Sequence, residues 1–182
     1  HVQLRTRTKM FCGCRNTFGA PPNTNVCPTC LGLPGALPMP NAEAIRLGIL
    51  AGLALGCEIA PESTFHRKNY FYPDLPKAYQ ISQYDEPLCV GGEFRYLQED
   101  GEKVVRITRV HLEEDAAKLL HLSGSGRRAG AEQSAVDFNR GGTPLAEIVT
   151  EPDLRSGQEA SDFLKQLRHT LRELGISDCN ME

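Results

Sequence analysis

The sequence has little basic character and no long apolar run. Its 182 residues carry a formal net charge of −3 at a pI near 6.0, so composition gives no signature of a nucleic-acid-binding surface. The richest apolar stretch, residues 47–57, contains glycines and is shorter than the roughly 20 residues that cross a bilayer. We therefore expect a cytoplasmic protein with no membrane segment, in which any contact with nucleic acid comes from a local patch or from a region outside this sequence.

Familiar catalytic and phosphate-binding motifs are also missing. The chain contains no GxxxxGK[ST], no GxGxxG and no GxSxG, which excludes the common phosphate loops and the serine nucleophile elbow. A nucleotide would therefore have to be bound by metal ions on a carboxylate-rich sheet. No internal repeat and no strict alternation of strands and helices is visible, so a doubly wound parallel sheet is not expected.

Two segments carry the signals of helices. The first is predicted to begin at Asn41, a good N-cap, and to end at Gly56. The second is predicted to begin at a capping box formed by Ser156 and Glu159 and to end at Gly175. Five apolar residues recur at helical spacing along it: Phe163, Leu164, Leu167, Leu171 and Leu174.

Five segments have the composition of strands: 1–10, 94–97, 104–112, 135–138 and 145–150. Asp100-Gly101, between the second and the third, supplies the positive φ angles of a type I′ turn and predicts a β-hairpin. Consecutive strands flanked by two helices favour an α+β fold with a mainly antiparallel sheet. Residues 65–85 are expected to form a loop-rich site, and residues 123–133 a flexible hairpin tip.

Four of the seven cysteines are grouped in a loop-rich segment, residues 11–40. Cys12-Gly-Cys14 and Cys27-Pro-Thr-Cys30 form CxC and CxxC knuckles, a spacing typical of a structural zinc site in which four thiolates bind one Zn²⁺. Four reduced cysteines without a metal, packed in the loop, are the alternative. The three other cysteines are expected to be small core residues rather than nucleophiles: Cys57, Cys89 and Cys179.

Three consecutive acids follow the strand at 104–112, in the sequence His111-Leu-Glu113-Glu114-Asp115. Like charges this close destabilise one another unless water, a cation or bases compensate them. Mg²⁺ is such a cation, because it prefers a few carboxylates together with water and phosphate oxygens. A solvated strand end is the alternative.

A further acid lies within the strand at 145–150. Glu147 shares a face with Leu145 and Val149, so alternation places a lone carboxylate on the side expected to face the core. A buried carboxylate needs a partner. A metal ion is one candidate, and an ion pair with Arg109 or Arg140 is the other.

Six stretches resemble a known family: HVQL, TNVCPTCLGLPGALP, RKNYFYPDLPKAYQISQYDEP, HLEEDA, VDFNRGGTPLAEIVTEPD and SDCNME. They closely resemble the B subunit of the glutamyl-tRNA(Gln)/aspartyl-tRNA(Asn) amidotransferases, over nearly the whole chain. The resemblance implies that residues 1–182 are a fragment of that protein's catalytic (cradle) domain, with a zinc-binding insertion at 11–40 and without the helical and tRNA-binding tail domains. It also implies a sheet similar to that of glutamine synthetase and the guanidino kinases.

The resemblance implies a reaction as well. ATP would phosphorylate the side-chain carboxylate of the Glu or Asp esterified to a mischarged tRNA. Ammonia from a glutaminase, the A subunit, would then displace the phosphate and give Gln-tRNA(Gln) or Asn-tRNA(Asn). The implied partners are the A and C subunits of a heterotrimer, the mischarged tRNA, and ATP with magnesium.

Carried over position by position, the resemblance assigns catalytic roles to His1, Glu114 and Glu147. It implies a magnesium site made of the same three residues together with Glu113. The RKNYFYPD stretch is expected to supply the residues of the nucleotide or aminoacyl pocket: Arg67, Lys68, Asn69 and Tyr72.

Two non-catalytic functions compete with this interpretation. The first is a zinc-stabilised module that docks the A and C subunits or the acceptor end of tRNA without doing chemistry. The second is a stand-alone regulatory zinc protein, which has little support beyond the four cysteines. The acids favour the ligase, because a surface that faces RNA should be basic rather than carry Glu113, Glu114 and Asp115.

Overall fold

The computed structural model describes residues 1–99, 101–122 and 133–180. Two helices and ten strands lie within these ranges. The helices are α1 (Ala42–Ala54) and α2 (Gly157–Glu173). The strands are β1 (Val2–Gln3), β2 (Glu58–Ile59), β3 (His66–Asn69), β4 (Tyr79–Ser82), β5 (Cys89–Val90), β6 (Glu93–Gln98), β7 (Gly101–Glu114), β8 (Lys118–Leu122), β9 (Gln133–Asp137) and β10 (Pro144–Thr150).

The main sheet is built around β7, a strand of 14 residues. Its strand order is β1-β10-β7-β5-β2, and β6 pairs with the first part of β7. Two small hairpins, β3–β4 and β8–β9, complete the set, and every pairing among the described strands is antiparallel. The predicted α+β fold with a mainly antiparallel sheet is therefore confirmed.

Helix α1 begins at the predicted cap, because the Asn41 side chain accepts hydrogen bonds from the backbone of Glu43 and Ala44. Gly48 and Gly52, one turn apart, let this helix lie very close to the sheet. A β-carbon at Gly48 would lie 2.8 Å from a side-chain carbon of Leu112, and one at Gly52 only 2.3 Å from the sulfur of Cys89. The spacing of the two glycines therefore serves helix-to-sheet packing.

Helix α2 also begins as predicted, since the Glu159 amide donates to Ser156 Oγ at 3.1 Å. Phe163, Leu167 and Leu171 are its buried residues. Phe163 meets the rings of Phe94 and Tyr96 on β6 edge-to-face, at 5.7 Å and 6.0 Å between centroids. The other two members of the predicted apolar stripe, Leu164 and Leu174, are 59% and 42% exposed, so the buried face is narrower than expected.

One prediction about strands is wrong and another is incomplete. Residues 1–10 form a strand only at Val2–Gln3, and the chain then continues into residues 11–40, which we call the cysteine loop. Residues 65–85 are loop-rich as predicted, but they also contain the β3–β4 hairpin, which was not predicted. All four residues of β3 are exposed, so the strand has no alternation of apolar and polar residues to reveal it.

The predicted hairpin is formed by β6 and β7, but the turn lies one residue earlier than predicted, because Gly101 is already the first residue of β7 and pairs with Gln98. Asp100 lies outside the described residues, as does most of the predicted tip at 123–133. Cys57 and Cys89 are buried, and Cys179 packs partly buried against the core. No helix of the described ranges combines the length and apolarity needed to cross a membrane.

Candidate functional site

Strand pairing brings three of the predicted site residues together at one end of the main sheet. Val2 pairs with Ala146, and Leu145 pairs with Glu113, so β1, β10 and β7 lie side by side. His1 Nε2 lies 3.0 Å from Glu113 Oε1 and 3.3 Å from Glu147 Oε2. The Glu113 carboxylate is almost fully buried, whereas His1 is exposed.

The three ligand atoms lie within 4.8 Å of one another, close enough to hold one metal ion. Octahedral Mg²⁺ with oxygen at about 2.1 Å places neighbouring ligand atoms about 3.0 Å apart. The separations from His1 to the two carboxylates are close to that value. Two carboxylates suit Mg²⁺, and the imidazole adds a nitrogen donor that transition metals prefer.

His111 belongs to the same cluster, although the sequence reasoning did not assign it a role. It is 3% exposed, and its Nε2 lies 3.1 Å from Glu147 Oε2, directly across the strand pair. Arg109 Nε donates to His111 Nδ1 at 3.2 Å. Because Nδ1 accepts, the proton of a neutral His111 lies on Nε2 and points toward Glu147. Its position in the sequence could have indicated this role, because His111 precedes Glu113 by two residues on one strand and both side chains therefore share a face.

The environment expected for Glu147 needs a correction. Leu145 on the same face is buried, but the Glu147 side chain remains 30% exposed, so this face is only partly covered by the core. Neither arginine considered as a partner forms an ion pair with it in the part of the chain that the structure describes. Arg109 reaches it through His111, and Arg140 donates instead to the carbonyl oxygens of Ala116 and Ala117.

Glu114 does not join the cluster with which it was grouped. Consecutive side chains of a strand point to opposite faces, and Glu114 leaves β7 on the side away from His1. Its buried carboxylate forms an ion pair with Lys77 and accepts a hydrogen bond from the Ile81 amide at 3.0 Å. The predicted four-residue magnesium set is therefore split into a three-residue cluster and a separate, charge-paired glutamate.

Asp115 completes the acidic triplet in a third environment. Burial raises the pKa of its carboxyl, while Arg140 at 3.7 Å and a hydrogen bond from Gln3 Nε2 at 3.2 Å act in the opposite direction. Three adjacent acids are thus compensated in three different ways, and the alternative of a simply solvated strand end is excluded by their burial.

The residues predicted to line a substrate pocket lie outside the cluster. Arg67, Lys68 and Asn69 form most of the exposed β3, and the guanidinium of Arg67 lies 4.6 Å from the centre of the Tyr79 ring. Tyr72 is 48% exposed in the turn that follows. The hairpin nevertheless lies beside the acidic strand end, since the Ile81 amide of β4 donates to Glu114 at 3.0 Å and Ser82 Oγ donates to Glu113 at 3.2 Å.

The four cysteines of the predicted zinc knuckles converge. Their sulfur atoms all lie within 4.8 Å of one another, and tetrahedral Zn²⁺ with sulfur at about 2.3 Å needs sulfurs about 3.8 Å apart. A hydrogen bond from Cys12 lowers the pKa of Cys30 to about 4, and the same bond raises the pKa of Cys12. Burial raises the pKa of Cys14 to about 11. Four thiols this close lose all their protons only when a cation compensates the charge, which a bound Zn²⁺ does.

A small cavity separates the cysteine cluster from the acidic strand. Its volume is about 110 Å³. Lys9, Cys12 and Cys30 line it on one side, and Lys77 and Glu114 line it on the other. The cysteine loop therefore packs directly behind the end of β7 rather than extending away from the sheet.

Comparison with known proteins agrees with the resemblance seen in the sequence. The family model of the GatB/GatE catalytic domain matches residues 1–182. The B subunit of the aspartyl/glutamyl-tRNA(Asn/Gln) amidotransferase of Thermomicrobium roseum is 60% identical to this chain over 183 residues, which cover 100% of the chain and 37% of the relative. The proteins of the same name from Symbiobacterium thermophilum and Frankia casuarinae are 58% and 57% identical over the whole chain, covering 37% and 36% of their own lengths.

The chain spans little more than a third of the length of these curated relatives. The identity over the whole chain and the match of the family model lead to one conclusion: the chain belongs to the GatB/GatE catalytic domain family.

Proposed function

We propose that this chain is the catalytic part of the B subunit of a tRNA-dependent amidotransferase. The γ-phosphoryl group of ATP passes to the side-chain carboxylate of Glu or Asp on mischarged Glu-tRNA(Gln) or Asp-tRNA(Asn), giving an acyl phosphate and ADP. Ammonia then attacks the acyl carbon and phosphate leaves, so the products are the amide and inorganic phosphate. Activation is needed because a free carboxylate resists attack by ammonia, whereas phosphate is a good leaving group.

The observation that carries this proposal is the convergence of His1, Glu113 and Glu147 on neighbouring strands. In this proposal the three side chains hold Mg²⁺, whose chemistry is to neutralise phosphate charge during phosphoryl transfer. The chain itself does the positioning. Ser82 Oγ donates to Glu113 at 3.2 Å and His111 lies against Glu147, so both carboxylates have fixed orientations.

The other candidate site residues take separate places in the proposal. Glu114 acts as a catalytic residue from its own side of β7, where Lys77 neutralises it. The exposed β3 and the turn after it form a wall of the nucleotide or aminoacyl site. The residues of that wall are Arg67, Lys68, Asn69 and Tyr72.

The four-cysteine cluster has a structural role in the proposal. Cys12, Cys14, Cys27 and Cys30 are four protein ligands for one ion, which leaves no coordination position for water or substrate. Zn²⁺ fits four sulfurs at this spacing better than Mg²⁺ does. The metal would hold a loop-rich segment that contributes few buried side chains of its own.

The names of the relatives support a proposal about partner subunits. They are called B subunits, so we infer a complex with a glutaminase, the A subunit, and with a C subunit, acting on tRNA in the cytoplasm. Residues 1–182 would be a fragment of the cradle domain with the zinc-binding insertion at 11–40, and its sheet would resemble that of glutamine synthetase and the guanidino kinases. The helical and tRNA-binding tail domains would belong to the remaining length that the relatives have.

The test measures ADP formation by the full-length protein in complex with its partner subunits, with Glu-tRNA(Gln), ATP and Mg²⁺. Glu113→Gln and Glu147→Gln are each expected to lower the rate about 100-fold or more, since each removes one metal-binding charge while keeping the size of the side chain. Glu114→Gln is measured alongside them and is expected to lose activity as well. Glu102→Gln is the matched control, because Glu102 also lies on β7 but is exposed and paired with Arg95.

Full activity of Glu113→Gln and Glu147→Gln would contradict the site assignment. A complex that binds tRNA but forms no ADP would favour the rival function, a zinc-stabilised docking module. The cluster of His1, Glu113 and Glu147 favours the ligase over that module, because a surface that only docks RNA has no need of a metal-binding group.

A further inference from the structure

Lys9 is a fully buried lysine, with a relative exposure of 0%. A buried ammonium group is costly unless a negative charge compensates it. Within residues 1–99, 101–122 and 133–180, Lys9 forms no ion pair with a carboxylate. Its Nζ atom lies 3.7 Å from Cys30 Sγ and donates to the carbonyl oxygen of Phe138 at 3.2 Å.

The backbone fixes Lys9 between two segments. The Lys9 amide donates to the carbonyl oxygen of Cys14 at 3.0 Å. The Met10 amide donates to the carbonyl oxygen of Gly142 at 2.7 Å. The aliphatic stem packs on Gly142, where a β-carbon would lie 3.3 Å from Lys9 Cδ. The side chain is therefore held against the cysteine cluster and the connector 138–143, which leads into β10.

The missing charge partner is supplied by the cysteines if they bind a metal as thiolates. Four thiolates on Zn²⁺ carry a net charge of about −2. A positively charged donor near one sulfur compensates part of this negative charge. Residues that hydrogen-bond to metal ligands in this way strengthen metal binding. Neutral thiols would leave the ammonium with only a carbonyl oxygen, which compensates a charge poorly.

We propose that Lys9 is the charge-compensating residue of the zinc site: it donates to Cys30 and ties the metal centre to Phe138, at the start of the connector that carries Glu147 on the following strand. The inference rests on the zinc site proposed above, but not on the reaction. It assigns a function to a lysine that the ATP chemistry does not use.

The test measures zinc release from the full-length protein in its complex, with a chromophoric chelator as the probe. Lys9→Met keeps an unbranched side chain as far as the ε position and removes the charged group, and it is expected to release zinc about 10-fold to 100-fold faster than the wild type. Lys165→Met is the control. Lys165 is an exposed lysine of α2 whose partner is Asp162, so its zinc release should equal that of the wild type.

A second readout is the sign of the effect on thermal stability. With zinc bound, Lys9→Met should unfold at a lower temperature than the wild type. After zinc is removed, the order should reverse or the gap should close, because the ammonium then has no charge partner. A lysine that is merely a packing element would lower stability equally in both states.

If Lys9→Met does not fold, Lys9→Gln, an uncharged donor, takes its place in the release measurement. Release faster than that of the wild type supports the proposal. Release at the wild-type rate overturns it, as does equal acceleration by Lys165→Met or a wild-type protein that binds no zinc. Since no measurement involves ADP formation, failure here is distinguishable from failure of the proposed function.

Discussion

His111 lies directly opposite Glu147 in the pairing of β7 with β10, and its Nε2 atom lies 3.1 Å from the Glu147 carboxylate. On the other side of the ring, Nδ1 accepts a hydrogen bond from Arg109 at 3.2 Å. Arg109 thus fixes the tautomer of a neutral His111, and His111 fixes the orientation of a carboxylate at the candidate metal site. Such an arrangement makes His111 a positioning residue.

Replacing His111 with Ala should therefore weaken metal binding more than it slows the chemical step. We expect the Mg²⁺ concentration needed for half-maximal ADP formation to rise about 10-fold to 100-fold in His111→Ala, with a smaller change in the rate at saturating Mg²⁺. His169→Ala, at an exposed position on α2, is the control and should not differ from the wild type. An unchanged Mg²⁺ dependence of His111→Ala would show that the ring only fills space.

Much of the fold could be predicted because its signals are local. Asn41 and the Ser156–Glu159 box mark the starts of the helices, and Asp100-Gly101 marks the hairpin to within one residue. The β3–β4 hairpin could not be predicted in this way, since an exposed polar strand such as His66–Asn69 has no apolar face and forms only through its partner.

Part of the candidate site could have been predicted from the alternation of side chains along a strand. Alternation could have separated Glu114 from Glu113 and joined His111 to Glu113, because neighbours on a strand face opposite ways and residues two apart face the same way. The ion pair between Lys77 and Glu114 could not be predicted from strand alternation. The two residues are 37 positions apart in the sequence, and only the docking of β4 against β7 brings them together.

Asp115 should make stability depend on pH with an unusual sign. Burial raises its pKa above 3.8, the ordinary value that applies when unfolded, so the folded chain holds the proton more tightly. The stability linked to protonated Asp115 is fully present below about pH 4 and is lost as the pH rises through the folded-state pKa. We therefore expect Asp115→Asn to raise the unfolding temperature of the full-length protein by about 2 °C at pH 7 and to have no effect near pH 3.5.

Asp153 provides the matched control of opposite sign. Hydrogen bonds from the Arg106 side chain and amide lower its pKa to about 2. Its contribution is present above pH 3.8 and is lost as the pH falls toward 2. Asp153→Asn should thus lower the unfolding temperature at pH 7, and melts of both variants from pH 3 to pH 8 compare the two signs. A stabilising effect of Asp115→Asn that persists at pH 3.5 would rule out titration as its cause.

Gly52 should tolerate substitution less well than Gly48. An added β-carbon at Gly52 would meet Cys89 Sγ at 2.3 Å and Cys89 Cβ at 3.0 Å, whereas at Gly48 it would meet only the ends of leucine side chains at 2.8 Å. We expect Gly52→Ala to lower the free energy of unfolding by about 1–3 kcal/mol through overpacking, even after the gain in helix propensity, and Gly48→Ala to lower it less. Cys89→Ala should restore part of the loss in the Gly52→Ala background, as a double-mutant cycle by denaturant titration will reveal. Additive effects would mean that the two residues do not clash.

The cysteine loop is tied to the connector before β10 by hydrogen bonds that zinc removal should break. Asn23 Oδ1 accepts from the Phe138 amide at 2.7 Å, and Asn139 Oδ1 accepts from the Asn25 amide at 2.7 Å. Both bonds hold only while the loop keeps its shape, because the loop buries few side chains of its own.

Removing the metal ligand Cys27 should therefore loosen two segments at once. Cys27→Ser is expected to lower the zinc content from about one ion per chain and to speed hydrogen exchange at the Asn25 and Phe138 amides together. A chelator should do the same to the wild type, because the bound metal rather than the thiol shapes the loop. Cys179→Ser, which changes a cysteine outside the cluster, should keep its zinc and its protection. Elemental analysis and hydrogen exchange with mass spectrometry measure both quantities. Protection of Phe138 that survives zinc loss would show that the connector holds its conformation without the cysteine loop.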